Sequence, residues 1–547
     1  MTILTANLID IPNKQIFPAR VTIFEGKIHG IEKIAEVPAS AGYLLPGFVD
    51  AHVHVESSML PPAAFARMAV VHGTVGSVSD PHEIANVLGE EGVHYMLEDG
   101  ANSPFKFCFG APSCVPATPF ETAGAHLGVE AVERLLQHPD IGYLSEMMNF
   151  PGVLYEDAEV MAKLAAARKF NKPIDGHAPG LRGKEAQTYF SAGISTDHEC
   201  FTLEEAMEKA SLGVQILIRE GSAARNFEAL WPLFEHYPAQ LMFCSDDKHP
   251  DDLVKGHINQ LVARALAKGC DLFDVLHAAC VHPVKHYQLA VGLLREGDPA
   301  DCIRVRDLEH FIVEETWIDG VCVAHKGTCL IPEHPAVVIN QFKATPQTAA
   351  AFAVPSREKQ QQVRLIQVLD GQIVTASDTA TLAVVADQVL ADQARDILKI
   401  AVLNRYVPDA KPAVAFVRGF GLTHGALASS VAHDSHNIVA VGTDDEVLAE
   451  AINAVIAAKG GISACDGMGE TRVLPLPIAG LMSTENGWDL AEAYAGLDTW
   501  TKERLGCELQ APFMTLSFLA LPVIPALKIT DKGLFDVETF QFSALFP

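Results

Sequence analysis

Eight short apolar segments between residues 46 and 295 restrict the fold of this chain more than any other feature. They recur about every 30 residues with helical stretches between most of them, the pattern of repeated βα units. The predicted strands are Phe48–Val53, Gly73–Ser79, Phe105–Gly110, Ile141–Ser145, Lys172–Asp175, Gly193–Asp197, Gly213–Ile218 and Gln240–Cys244. Predicted helices, with apolar residues three or four positions apart, include Asp157–Phe170, Leu203–Leu212 and Leu253–Ala267.

Eight parallel strands with intervening helices predict a closed (β/α)8 barrel of about 250 residues. The alternative is a doubly wound open sheet. That fold carries a G-x-G-x-x-G signature after a strand for nucleotide binding, and none follows the predicted strands. We therefore assign residues 46–295 to an α/β barrel domain.

The segments that flank the barrel have the short, turn-separated pattern of a β-layer. Residues 1–45 contain the predicted strands Ala19–Phe24 and Ile28–Ile34 around a turn at Glu25-Gly26-Lys27, and a similar pattern returns at 299–327. We predict that residues 1–45 and 296–345 together form one small β-sandwich.

The last 200 or so residues are expected to form one further domain, because this length is within the usual size range of a single domain. An Ala/Gln-rich passage, Thr345–Val354, is interpreted as the linker to it. Predicted strands at Leu365–Leu369, Val414–Val417 and Ile438–Gly442 alternate with helices such as Asp444–Lys459. The prediction is a C-terminal α/β domain over residues 350–547.

Composition and charge exclude several classes of protein. The chain carries 40 basic and 68 acidic residues and a formal charge of −28, so it repels phosphate backbones and is not expected to bind nucleic acid. A small neutral or cationic ligand is easier to accommodate. The N-terminus has no signal-peptide pattern, and no apolar run reaches the ~18 residues of a membrane helix. The longest apolar passage, Leu516–Leu527, is interpreted as a buried strand and turn.

The cysteine content indicates the cellular compartment. Eleven cysteines are scattered without regular spacing, which is typical of a reducing cytoplasm and not of a disulfide framework. We expect a cytoplasmic protein that does not bind membranes and that forms a homo-oligomer, a dimer.

Polar residues recur where the predicted strands end. In barrels of this type the chemistry occurs at the carboxyl ends of the strands. One isolated histidine after a strand is usually structural, but histidines or carboxylates follow nearly every strand here. In chain order these residues are His52 and His54; Asp80, His82 and Glu83; Glu146 and Asn149; Asp175 and His177; Asp197, His198 and Glu199; Arg219 and Glu220; and Asp246, Asp247 and His249.

This set of side chains predicts a centre with two divalent metal ions. Alternate residues of a strand point to one face, so His52 and His54 can bind one ion together, and His177 and His198 can bind the other. Glu146 can bridge the two ions. Asp246 can bind the first ion and accept a proton from water. Nitrogen and oxygen ligands without thiolates suit Mn, Fe or Zn.

Other catalytic motifs that these residues could belong to are incomplete or absent. His54-Val55-Glu56 matches the H-x-E of zinc base deaminases, but the Pro-Cys-x-x-Cys that this signature needs is absent. The chain also has no H-E-x-x-H and no G-x-x-x-x-G-K-[ST]. A second histidine group, at His424, His433, Asp434 and His436, is interpreted as a turn with solvated side chains, with a separate metal site as the alternative.

Eight longer motifs closely resemble the prokaryotic adenine deaminases of the amidohydrolase superfamily. They occur in the order PGFVDAHVHVESS, VSDPHEIANVLG, PSCVPATPFETAGA, EMMNFPGV, DGHAPGL, TDHEC, IREGSAARN and SDDKHP, and the chain also ends like that family, with MTLSFLALPVIPALKITDKGLFDV. The resemblance covers nearly the whole chain. It implies a metal-dependent barrel that hydrolyses adenine to hypoxanthine and ammonia, with two manganese or iron ions. It implies metal ligands at His52, His54, Glu146, His177, His198 and Asp246.

Two details of the site stay open at this level. Many superfamily members bridge their metals with a carboxylated lysine, whereas strand four here ends in Ser145-Glu146-Met147, so Glu146 is expected to bridge directly. Asp246 is preferred over Asp247 as the ligand because it comes first after the apolar run. Candidates for binding the adenine ring are Glu56, Ser57, His82, Glu83, Arg219 and Glu220.

The expected reaction is a metal-assisted hydrolytic deamination that serves purine salvage. Water attacks C6 of adenine while N1 is protonated, and Asp246 transfers the proton of the water to the departing amine. One alternative is an amidohydrolase acting on another amidine or cyclic amide, because one barrel fold hosts many reactions. Another is a non-catalytic metal-binding protein, but such a protein should have lost a ligand, and none of the six is missing.

Overall fold

The computed structural model describes residues 1–547, and its first four strands lie outside the barrel. They are β1 (Thr2–Asp10), β2 (Gln15–Phe24), β3 (Lys27–Lys33) and β4 (Tyr43–Pro46). The turn between β2 and β3 places Glu25 and Gly26 at positive φ, 49° and 77°, as two-residue hairpin turns require. β1 pairs antiparallel with β2 and parallel with β4.

The next eight strands form the barrel. They are β5 (Phe48–Val53), β6 (Thr74–Ser79), β7 (Lys106–Ala111), β8 (Ile141–Met147), β9 (Ile174–Gly176), β10 (Thr196–Asp197), β11 (Gln215–Arg219) and β12 (Leu241–Cys244). All eight predicted strands are present, β5 with the predicted bounds. Several of these strands, β5 and β6 among them, are buried along their whole length, as expected for parallel strands covered on both faces.

Hydrogen bonds close these strands into a ring. β5 to β9 form one parallel sheet and β10 to β12 another. At one junction the backbone N–H of Asp246, after β12, donates to the carbonyl of His52 in β5 over 2.9 Å. At the other, the N–H of Ser195 donates to the carbonyl of Ile174 over 2.9 Å. The predicted (β/α)8 barrel is confirmed.

Helices connect and cover the barrel strands. They are α1 (Pro62–Ala69), α2 (His82–Leu88), α3 (Glu90–Gly100), α4 (Val129–Gln137), α5 (Phe150–Leu154), α6 (Ala158–Lys169), α7 (Gly183–Ser191), α8 (Leu203–Ser211), α9 (Phe227–Leu230), α10 (Pro250–Leu253), α11 (Ile258–Ala267), α12 (Leu272–Leu276) and α13 (His282–Tyr287). α4 shows the pattern that forms them, because Ala131, Val132, Leu135 and Leu136 are buried on one face.

The predicted helix Leu253–Ala267 is wrong at its start, since the chain leaves helical geometry between α10 and α11. Gly256, a poor helix former, lies in this break, and the next residue, His257, is buried and hydrogen-bonds Asp50 Oδ2 over 2.8 Å and Thr74 Oγ1 over 2.7 Å. These contacts draw His257 towards the barrel strands and interrupt the helix.

Four strands that follow the barrel in the chain belong to the same sheet as β1 to β4. β13 (Cys302–Val305), β14 (Val313–Ile318), β15 (Val321–His325) and β16 (Thr328–Cys329) extend it. β13 pairs antiparallel with β4, so that the order is β16-β15-β14-β13-β4-β1-β2-β3. Both flanks of the barrel therefore contribute to one continuous sheet.

The C-terminal part contains two more sheets. Its strands are β17 (Gln360–Val368), β18 (Thr375–Val385), β19 (Gln388–Val389), β20 (Ile397–Leu403), β21 (Ala413–Arg418), β22 (Ala426–Ser429), β23 (Ile438–Gly442), β24 (Gly461–Cys465), β25 (Thr471–Pro475), β26 (Leu527–Thr530), β27 (Gly533–Asp536) and β28 (Gln541–Phe542). β17 to β25 form nine strands of one sheet, and β26 to β28 form a small second sheet.

Three helices complete this part, namely α14 (Asp445–Ala458), α15 (Gly487–Leu505) and α16 (Pro512–Phe518). The strand predicted within Leu516–Leu527 is wrong, because α16 occupies its start and β26 begins only at Leu527. Periodicity cannot distinguish a short buried helix from a buried strand, and Pro512 is at the helix N-terminus, where proline is favoured. None of the helices is both long and apolar enough to cross a membrane.

Candidate metal centre and active site

Six side chains converge at the carboxyl ends of the barrel strands. His52 is the penultimate residue of β5 and His54 follows this strand, while Glu146 is the penultimate residue of β8. His177 follows β9, His198 follows β10, and Asp246 comes two residues after β12. All six are buried, with exposed fractions between 0% and 7%. The parallel strand order is what brings residues so distant in the sequence to one place.

The first group of ligand candidates joins β5 to β12. His52 Nε2 lies 3.3 Å from His54 Nε2. Asp246 Oδ1 is 3.2 Å from His54 Nε2 and 3.6 Å from His52 Nε2. Asp246 has a φ of 51°, a left-handed conformation that Asp and Asn tolerate better than most residues.

The second group lies around Glu146. Its Oε2 is 2.7 Å from His177 Nδ1 and 3.2 Å from His198 Nε2. Its Oε1 is 3.3 Å from His54 Nε2. One carboxylate therefore contacts histidines of both groups, which is the geometry that a bridging ligand needs.

These donor atoms fit divalent cations. In the first group two histidine nitrogens and a carboxylate oxygen lie within 3.6 Å of one another. In the second group a carboxylate oxygen lies within 3.2 Å of two histidine nitrogens. No thiol takes part, as in sites for Zn, Mn or Fe. The imidazole rings of His52 and His198 stack with centroids 4.1 Å apart, so the two groups adjoin. The residues thus fit a centre that holds metal through nitrogen and oxygen.

Charged neighbours keep both carboxylates ionised. Burial opposes ionisation of Glu146, but His177 and the other histidines hold its pKa well below the usual range. Burial likewise opposes ionisation of Asp246, and Arg219 together with the histidines lowers its pKa well below normal. Both side chains are therefore available as anionic ligands at neutral pH.

Arg219 lines the cavity beside the centre, and two carboxylates hold its guanidinium. Its guanidinium is 2.6 Å from Asp246 Oδ2 and forms an ion pair with Glu199. Glu199 Oε1 is in turn 3.4 Å from His198 Nε2. The structure thus gives Arg219 the position of a group that orients Asp246. Glu199 also lies beside the centre, as its position after the sixth strand of the barrel suggested.

A serine lies between two carboxyl groups next to the centre. Ser57 Oγ is 2.8 Å from Glu83 Oε1 and 2.5 Å from Asp247 Oδ1. One hydroxyl proton cannot serve two carboxylates, so one carboxyl group must itself carry a proton. Burial, together with Glu56 and Asp247, raises the pKa of Glu83 well above its ordinary value. This shift favours Glu83 as the carboxyl group of the pair that carries the proton.

Of the six candidates for binding the base, only His82 and Arg219 line the cavity over the centre. Glu56 Oε1 accepts a hydrogen bond from the N–H of Ile84, and burial raises its pKa to about 7. Glu220 forms an ion pair with Arg264 and lines a separate charged cavity. Successive residues at a strand end point to opposite faces, which explains why Arg219 reaches the centre and Glu220 does not.

His82 connects the barrel centre to the C-terminal domain. Its Nδ1 is 3.2 Å from Asp80 Oδ2 and 3.5 Å from Glu146 Oε1. Its Nε2 is 3.6 Å from Asp434 Oδ1. The imidazole of His82 thus lies between the central carboxylate and a carboxylate of another domain.

The C-terminal domain supplies a large part of the cavity over the centre. Its contributions are Ile373, His433, Asp434, Phe518, Leu521 and Ile524. The interpretation of the second histidine group as a solvated turn is therefore wrong, because His433, Asp434 and His436 are all at most 2% exposed. His424 lies apart from them and hydrogen-bonds Thr423. The Gly and Ser residues around this group suggested a surface loop, and nothing local signalled that another domain would cover it.

Comparison with known proteins agrees with this architecture. Residues 43–323 match the amidohydrolase family, and residues 372–541 match the adenine deaminase C-terminal domain. The barrel, its strand-end histidines and this family match define a hydrolase of the amidohydrolase family.

Relatives over the whole chain narrow the assignment. An adenine deaminase of Salinibacter ruber is 56% identical over 540 residues, and one of Sulfurovum sp. is 55% identical over 537 residues. One of Methanosarcina acetivorans is 51% identical over 549 residues, and each alignment covers 98% of this chain and 98% of the relative. The chain belongs to the adenine deaminases, and the resemblance seen in its sequence motifs is confirmed.

Proposed function

We propose that the protein hydrolyses adenine to hypoxanthine and ammonia at the centre formed by His52, His54, Glu146, His177, His198 and Asp246. The observation that carries this proposal is the convergence of four histidines and two carboxylates at the barrel end, in a chain whose full-length relatives are adenine deaminases. The reaction serves purine salvage in the cytoplasm, a compartment that eleven free cysteines favour. A homodimer is part of the same proposal and is tested by light scattering.

The amidohydrolase family is metal-dependent, and we propose two divalent transition-metal ions per chain. His52, His54 and Asp246 would hold one ion, His177 and His198 the other, and Glu146 would contact both. Manganese or iron is the expected metal, with zinc as a further possibility for this donor set. When bound, such ions supply Lewis-acid chemistry that lowers the pKa of water to near neutrality.

The chain supplies the proton transfers. Asp246 is an anion at the edge of the centre, so its carboxylate can take a proton from the attacking water and return it to the departing amine. Arg219 holds Asp246 Oδ2 at 2.6 Å, which leaves Oδ1 directed to the centre. His82, whose imidazole lines the cavity, is the candidate to protonate N1 of adenine.

Metal analysis tests the two-ion centre. We expect about two transition-metal equivalents per chain in active protein, because six ligands exceed what one ion needs. The measurement is elemental analysis of protein purified without chelators, with ammonia release followed on the same sample. Activity that persists at a stoichiometry near zero contradicts the proposal.

Substrate turnover tests the reaction. We expect adenine to be deaminated with a kcat/KM at least ~10³-fold above that of adenosine, as for sites that reject an analogue lacking a required donor. A panel of purines, pyrimidines and cyclic amides, with ammonia as the readout, includes the alternative substrates of this barrel. If another amidine or cyclic amide is turned over faster than adenine, that compound is the substrate instead. If adenosine is turned over as well as adenine, the enzyme acts on nucleosides.

A further inference from the structure

Asp434 is a buried carboxylate that the proposed chemistry does not use. It lies in the C-terminal domain, between β22 and β23, and lines the same cavity as His54, His82 and Glu146. It is 2% exposed, and its Oδ2 has no hydrogen-bond partner. Leaving a buried polar atom unpaired costs free energy of the order of 1–3 kcal/mol, more for a charged group. Such an atom in a cavity indicates that a ligand atom completes its hydrogen bonding.

The distance of Asp434 from the centre suits a purine. His82 spans the gap, with Nδ1 3.5 Å from Glu146 and Nε2 3.6 Å from Asp434. Asp434 thus lies about one imidazole ring beyond the carboxylate that would bridge the metals. A purine that lies in the cavity beside His82 with C6 at the centre would direct its five-membered ring towards Asp434.

The hydrogen-bonding groups of Asp434 and of adenine are also complementary. The imidazole half of adenine carries one N–H, which is a hydrogen-bond donor, and a carboxylate can only accept. Adenosine and 9-methyladenine lack this N–H because N9 carries a substituent. An unpaired acceptor at this place therefore distinguishes the free base from its N9-substituted forms.

Apolar side chains of the C-terminal domain line the cavity together with Asp434. This apolar wall consists of Ile373, Phe518, Leu521 and Ile524. His433 stacks on Phe518 with ring centroids 4.5 Å apart and planes 20° from parallel. Lys528, whose pKa burial lowers to about 7, donates to the carbonyls of Ile373 and Phe518 over 2.8 Å and 3.0 Å. The wall is thus fastened in place, and a sugar at N9 would have to displace it.

We infer that Asp434, backed by the apolar wall, is the residue that selects the free base by accepting the imidazole N–H of adenine. The C-terminal domain then acts as the specificity half of the active site, while the barrel carries the chemistry. This inference rests on the proposed deamination of adenine. It assigns a binding contact only, since Asp434 lies beyond His82 from the centre.

The test compares adenine with 9-methyladenine in the metal-loaded, full-length protein. The wild type should prefer adenine by ~10³-fold or more in kcat/KM, as expected for a site whose acceptor would be left unpaired. In Asp434→Ala the preference should fall to within about tenfold, because adenine loses its acceptor while 9-methyladenine no longer buries an unpaired carboxylate. Asp434→Asn, which keeps the shape and one acceptor oxygen, should give an intermediate ratio.

Controls distinguish this role from a structural one. His424→Gln changes a histidine of the same domain outside the cavity and should leave the ratio unchanged. Metal content and melting temperature are measured for every variant, and binding of hypoxanthine and 9-methylhypoxanthine by calorimetry gives the same comparison without turnover. An unchanged ratio in Asp434→Ala, or an equal loss for both substrates, overturns the inference. Absence of adenine turnover in the wild type instead overturns the proposed function.

Discussion

Replacing Asp246 with asparagine is expected to lower kcat by ~10⁴-fold or more while the protein stays folded and keeps most of its metal. General acid–base catalysis by one residue is commonly worth ~10²–10⁴ in rate, and Asp246 is proposed to serve two transfers. Asparagine retains an oxygen toward His52 and His54 and tolerates the left-handed backbone at this position. It cannot accept the proton of water, so neither transfer can proceed.

The structure sharpens this prediction for stability. Asparagine removes one of the two carboxylates that face the buried Arg219, so the melting temperature should fall, but Glu199 still balances the guanidinium charge. Asp246 does not cap a helix, because α10 begins at Pro250 and the preceding His249 is its N-cap. The measurements are kcat, metal content and melting temperature.

Asp247→Asn is the matched control, since Asp247 is adjacent in the chain and hydrogen-bonds Ser57 instead of the histidines. It should retain measurable turnover and full metal content. An inactive Asp247→Asn beside an active Asp246→Asn would show that the assignment is off by one residue. If both variants are active, the general base lies elsewhere.

Glu146→Gln is expected to lose metal as well as activity. Glu146 contacts His54 through one oxygen and His177 and His198 through the other. Glutamine replaces one oxygen with an NH₂ group, which cannot bind a cation, and removes the negative charge between two cations in a buried site. Loss of a residue behind the ligands already costs 10–100-fold in affinity or activity, so kcat should fall by more than ~10²-fold.

The comparison for this variant is Glu205→Gln. Glu205 is also a buried glutamate, but it pairs with Lys209 away from the histidines. Its substitution should lower the melting temperature and leave the metal content unchanged. Metal content and activity at wild-type levels in Glu146→Gln would remove this residue from the centre.

Local sequence patterns predicted most of the barrel. The strands Phe48–Val53 and Ile438–Gly442 occur with the predicted bounds, because each is a short apolar run bounded by turn or polar residues and is too short for a typical helix. For the same reason the sequence could predict that one group of side chains lies together at the barrel end, namely His52, His54, Glu146, His177, His198 and Asp246. Each follows or ends a strand, and parallel strands bring their carboxyl ends together.

Only the tertiary structure decided which side chains complete the site. Gly256 weakens the helix at the break, but the contacts of His257 with Asp50 and Thr74 join residues that are distant in the sequence and cannot be read from residues 253–267. Asp434 illustrates the same limit, since its surroundings in the sequence are those of a surface turn. Its burial arises because the C-terminal domain packs over the barrel end, and contacts between domains leave no periodic pattern in either sequence segment. The sequence by itself therefore determined the barrel and the side chains at its strand ends, and the packing of the domains determined what faces them across the cavity.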